Sequence, residues 1–139
     1  MAALAADLGV GRTMTDRATL VSAWIEEYSR HGKASYDSPS ALDELRDMTH
    51  RDPAATWDVT LALIQAATDD RVLAGIAAGP LEDLIRRSHA MLLELVDTAA
   101  RRDPTFRRCL TGVWLGDDTP AHVRDCVTKY TSTVKDGFR

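Results

Sequence analysis

From about residue 14 onward, apolar side chains recur three and four apart, in runs separated by Asp, Ser, Thr, Gly and Pro. That is the spacing of helical faces. Leu20, Val21, Trp24, Ile25 and Tyr28 fill one side of a helix, with Thr13 or Thr15 placed to cap it and Gly32 to end it. Ser38-Pro39 pairs a cap with proline at the first helical position and predicts a second helix carrying Leu42, Leu45 and Met48. Asp52-Pro53 repeats the device and opens a third with Trp57, Leu61 and Ile64. Trp57, Val59, Leu61 and Leu63 also alternate with a period of two, as a strand would, but the alanines at 66 and 67 favour helix.

Asp69 or Asp70 caps a short helix expected to end near Gly79. Pro80 is expected to start the longest one, with Leu81, Leu84, Ile85, Leu92, Leu95, Val96 and Ala99 on a single stripe. Asp103-Pro104 starts another, with Phe106, Leu110 and Val113 or Trp114 inward. Thr119-Pro120 starts the last, with Val123, Val127 and Tyr130 inward; the β-branched residues toward Val134 weaken the helical signal there. All five prolines follow a cap-competent residue or a glycine, which suits helix starts better than strands. Arg51-Asp52-Pro53 and Arg102-Asp103-Pro104 each join one helix to the next as tight hairpins. The expected fold is therefore all-α: a compact bundle of about six to seven helices, with stacked, solenoid-like hairpins as its variant. Residues 1–13 have no clear period and read as a disordered N-terminal tail, and residues 14–139 read as one helical domain.

Composition changes this picture little. The 139 residues are 45% hydrophobic and 27% charged, values of an ordinary globular domain that needs no metal or disulfide to fold. The net charge of −4 is uneven: residues 1–79 hold 7 basic and 12 acidic side chains, residues 80–139 hold 10 and 9. Neither part has the basic field of a nucleic-acid binder. Two cysteines, Cys109 and Cys126, make no disulfide framework and point to a reducing cytoplasm. The N-terminus lacks a secretory signal, and no apolar run approaches the ~20 residues of a membrane span.

The stretch Ala78-Gly79-Pro80-Leu81-Glu82-Asp83-Leu84 is followed by Arg101-Arg102-Asp103-Pro104, then Phe106-Arg107-Arg108, Leu110 and Gly112-Val113-Trp114. Together they resemble a small bacterial family of unknown function whose members carry a "GPLEDLL" segment and then an "RDPxFRRAL-GVW" segment. The likeness spans roughly residues 40–127 and is strongest over 75–115. It implies a helical bacterial protein and no stated activity. The family has His-Gly where this chain has Ser88-His89, so no role carries over to that histidine.

Glu82 and Asp83 could split into acid and base if their environments differed. Both, however, sit where a helix dipole favours negative charge, with Arg86 and Arg87 four residues on, and they point about 100° apart. His122, Cys126 and Cys109 could converge on zinc, but they lack the paired spacing of zinc motifs. No nucleophile elbow, phosphate loop or dinucleotide fingerprint is present. No metal and no cofactor are expected, and the balance leans away from an enzyme. The arginine doublets at 86–87, 101–102 and 107–108 suit acidic groups, but the interleaved aromatics of a single-strand binder are missing.

Trp24 and Trp57 fall on apolar stripes. Trp114 lies at a helix boundary, where tryptophan serves as an interface anchor. The expected function is protein binding of an antitoxin-, immunity- or adaptor-like kind, through a surface holding Trp114, Arg107, Arg108, Glu82 and Asp83. The alternatives are an enzyme or small-molecule binder with an inter-helical pocket, and a structural homo-oligomer such as a homodimer.

Overall fold

The computed structural model describes residues 16–31 and 40–138, the side chains at 31 and 88–90 excepted. The expected tail, the caps at Thr13 and Thr15, the Gly32 stop and the Ser38-Pro39 start lie outside these residues. Seven α-helices follow in order: α1 Arg17–His31, α2 Ala41–Arg51, α3 Pro53–Ala66, α4 Asp70–Ile76, α5 Glu82–Arg102, α6 Pro104–Leu110 and α7 Ala121–Thr131. The described residues contain no strand, and none of their helices is long and apolar enough to cross a membrane.

Caps set most of the boundaries. Asp16, rather than a threonine, starts α1, its carboxylate accepting the Thr19 N–H at 2.8 Å. Ser40 caps α2 by accepting from Asp43 N–H, so that helix begins two residues later than Ser38-Pro39 suggests. Asp52, Asp69 and Asp103 cap α3, α4 and α6, two of them with proline in the first turn. A further contribution comes from another helix. The buried Glu27 carboxylate of α1, 5% exposed, accepts from the Ser40 hydroxyl at 2.7 Å and from the N–H groups of Ala41 and Leu42 at 2.8 and 3.2 Å. A charge at a helix N-terminus can be buried because the orphan donors there satisfy it.

Gly79-Pro80 does not break the chain into two helices as expected. α4 runs into α5 through a π turn, Ala77–Leu81, with Pro80 inside it. Glu82 N–H reaches back five residues to the Ala77 carbonyl. This wider turn absorbs the missing donor and the ring of proline, which a regular α-helix does not tolerate.

α3 is the centre. It packs against α1, α2, α4, the π turn, α5 and α6. Thr56, Trp57, Val59, Thr60, Leu63 and Ile64 are accordingly buried. Burial on several sides explains why its sequence carries both a helical and an alternating pattern. Trp57 meets Phe106 of α6 edge-to-face, with centroids 5.7 Å apart. The two Asp-Pro joints do form hairpins, α2 with α3 and α5 with α6, and α3 of the first packs against both helices of the second. α7 closes the other side on α5 and α6.

Two stripe positions differ from expectation. Leu95 is 39% exposed and Ala99 only half-buried, while Ala100, off the predicted stripe, is buried. The C-terminal half of α5 is held by α6 and α7, through Arg107 to the Ala100 carbonyl and Tyr130 to Asp97, and Leu95 lies to one side of that contact. Past α6, Val113 is buried and Trp114 faces out.

Candidate functional site

The first turns of α5 and the loop that follows α6 meet at one corner. α6 ends in turns that bond Gly112 N–H to the Cys109 carbonyl and Val113 N–H to that of Leu110. The next residues form no helix: Val113 is buried, Trp114 faces out and Leu115 is half-buried. Two contacts pin this strip. Glu82 accepts the Trp114 N–H at 2.8 Å, and Arg124 of α7 donates to the Gly116 carbonyl at 2.8 Å. Glu82 also pairs loosely with Arg86, at 3.9 Å, and the Arg86 guanidinium lies 5.5 Å over the indole of Trp114. Trp114 is 53% exposed, yet its backbone is held and one face of its ring is attended by a cation.

Glu82 and Asp83 thus part company, as their angular separation requires. Glu82 is committed to the loop. Asp83 forms no ion pair with Arg87 among the described residues and instead lines two hollows. One is a polar cleft of about 440 Å³ between Arg86, Arg87, Asp118 and Pro120. The other, of about 300 Å³, lies between α1, α2 and the π turn and is lined by Trp24, Tyr28, Gly79 and Pro80 among others. On its far side Trp114 borders a third depression of about 470 Å³, walled by Leu110, Leu115, Val127 and Val134. Asp83 is common to the first two, and the Arg86–Trp114 contact stands between the cleft and the third.

Arg107 and Arg108 are placed elsewhere and are occupied. Arg107 donates to the Ala100 carbonyl at 2.6 Å, closing the C-terminus of α5. Arg108 forks onto Asp70 at 2.8 and 3.0 Å, donates to the Asp136 carbonyl at 2.8 Å and covers the Phe138 ring at 4.4 Å. The Arg108 hydrogen bonds hold the Asp70 carboxyl below its ordinary range. Of the doublets, Arg101 pairs with Asp97 at 2.9 Å, four residues before it.

The cysteines and His122 are not gathered into a metal site. Cys109 is fully buried, its thiol turned to the Leu73 carbonyl at 3.6 Å and pushed up to about 12 by desolvation. Burial also raises Cys126, which stands near Asp97. Among the described residues no three His, Cys, Asp or Glu groups are placed to hold an ion.

Sequence reasoning missed two sites of polar chemistry. One is the Glu27 cap; the other is the bond from the Tyr130 hydroxyl to Asp97, with Lys129 beside it. It also missed the Trp24–Tyr28 stack, with centroids 5.2 Å apart, although their spacing of four on α1 was a usable signal.

No curated protein and no solved structure matches this sequence. A family of unknown function, DUF6869, matches residues 30–134, a stretch that includes Glu82, Asp83, Trp114 and both arginines of α6. Three-quarters of the chain is covered, and the protein belongs to that family.

Proposed function

We propose that this protein is a protein-binding helical domain of the bacterial cytoplasm, adaptor-, antitoxin- or immunity-like in role, which takes its partner on the face around Trp114. The observation that carries the reading is the outward tryptophan, fixed from behind by Glu82 and flanked by Arg86. A large amphipathic ring already held in place loses little entropy when a partner covers it, which is why tryptophan and arginine dominate interface energetics. The depression beside it, lined by Leu115 and Val134 together with Thr128 and Thr131, offers both apolar and hydroxyl contacts to a partner side chain, and the cleft on the other side carries both signs of charge to set orientation. The bacterial cytoplasm fits two cysteines that form no disulfide, and the bacterial resemblance of the sequence.

The test is capture from lysate of the native host on tagged wild type, Trp114→Ala and a control, Asp58→Ala, changed on exposed α3 surface that lines none of the three hollows. The reading expects one stoichiometric partner on wild type and control, reduced at least about tenfold on Trp114→Ala, as loss of a hot spot implies. Recovery of untagged copies of the chain itself would mark a homodimer instead. Equal capture by all three baits would remove Trp114 from the interface.

A further inference from the structure

The hollow between α1, α2 and the π turn is chemically unlike the Trp114 corner. We infer that it is a binding site for a small organic cation, a primary ammonium carried on a flat apolar body. Its volume of about 300 Å³ is at the lower end for ligand pockets. The apolar lining comes from Trp24, Leu45 and Pro80, with Gly75 and Gly79 keeping side chains out of it. A Cβ at Gly79 would meet nothing within 4 Å. The wall on that side is the π turn, a distortion that recurs at functional sites.

Two half-buried polar groups stand on the lining. The Tyr28 hydroxyl and the Asp83 carboxylate have no hydrogen-bond or ion-pair partner among the described residues. Arg46, also on the rim, is spent on Asp43 at 3.0 Å. Arg86 is drawn to Glu82 and Trp114, and Arg87 does not reach Asp83 among the described residues. Among the described residues, the uncompensated charge lining the hollow is therefore negative. The Tyr28 ring is already taken up by the Trp24 stack and the Arg71 guanidinium, 5.3 Å from its centroid, so Tyr28 offers the hollow its hydroxyl. An ammonium would donate hydrogen bonds from its N–H groups to the Asp83 carboxylate and the Tyr28 hydroxyl oxygen, and its apolar body would lie against Trp24 and Pro80. A carboxylate or phosphate in the same place would meet Asp83 and be repelled.

The test uses the full chain and three probes of one shape: 2-phenylethylamine, 2-phenylethanol and 3-phenylpropanoate. Binding is followed by calorimetry and by the Trp24 indole and Gly79 amide signals in nitrogen–proton correlation spectra. The amine is expected to saturate at about millimolar concentration or below, a scale set by one charged contact and one small ring. It should bind at least about tenfold tighter than the alcohol, with no saturation by the acid. Asp83→Asn, which keeps the shape, should abolish that preference, and Gly79→Leu, which fills the space, should abolish binding. Trp114→Ala should leave amine binding unchanged, which separates this site from the partner face. No saturation by the amine, unchanged binding in Asp83→Asn, or equal binding of the acid would overturn the assignment.

Discussion

Gly75 and Gly79, one helical turn apart, have opposite jobs. Gly75 lies under Tyr28, where a Cβ would come within 2.3 Å of the ring carbon Cζ. That ring is held between the Trp24 stack and Arg71, so it has little room to retreat. Gly75→Ala should cost about 1–3 kcal/mol, as overpacking does, and should change the near-ultraviolet circular dichroism of the stacked pair. Gly79→Ala faces open space and should be neutral or stabilising by up to about 1 kcal/mol through a stiffer unfolded chain. Urea unfolding of both variants checks the contrast, and equal effects would refute the packing argument.

A second residue-scale test concerns the Tyr130–Asp97 bond, which holds the carboxyl below its ordinary range and raises the phenol. A depressed carboxyl contributes stability above its unfolded value of about 4, and loses it as pH falls through the folded one. A raised phenol contributes below about 10 and loses it as pH rises through the folded value. Tyr130→Phe should therefore lose most stability across the neutral range, and the gap to wild type should close in acid and in strong alkali. Parallel stability curves at all pH values would contradict this. None of it was legible in the sequence, because Asp97 and Tyr130 are 33 residues apart. Only the fold brings them together.

The helices begin where side chains can feed their first N–H groups. Asp52, Asp69 and Asp103 each do so locally, and each was readable because the donors lie two or three residues downstream. Replacing any one with alanine should cost about 1 kcal/mol. Glu27 acts across 13 to 15 residues and could not be read. Glu27→Ala strands three donors, so its cost should exceed that of each local cap, about 2–3 kcal/mol by the desolvation of buried groups. A ranking in which Glu27→Ala is the mildest of the four would sink this account. Gly79-Pro80 was legible as punctuation and misread as a stop. Proline ends a regular helix, but a turn with five-residue hydrogen bonds has no need of the donor it lacks. The partly alternating α3 was legible as a helix, and its mixed pattern reflects packing against six other segments.

Over the whole molecule, the arginines divide into fasteners and surface groups. Arg108 ties α6 to Asp70 at the start of α4 and to Asp136 and Phe138 near the C-terminus. Gly137 fits beneath it against Thr111, whose hydroxyl accepts the Phe138 N–H at 2.8 Å. Arg108→Ala should release this segment, raising amide exchange over residues 132–138 and exposing Lys135 to trypsin, while α3 stays protected. Unchanged protection would show that the clasp is idle. Arg86, by contrast, stays at the surface over Trp114. The outward Trp114 could be suspected from its place at a helix end, but its anchoring by Glu82 could not, with 32 residues between them.

The most direct test of the partner face is photocrosslinking in the native host, with benzoylphenylalanine at Thr119 in the charged cleft or, separately, at Asp58 on α3. The account predicts one discrete adduct from position 119, none from position 58, and loss of that adduct when Trp114→Ala is added. The same adducts from both positions, or an adduct at 119 that survives Trp114→Ala, would contradict it.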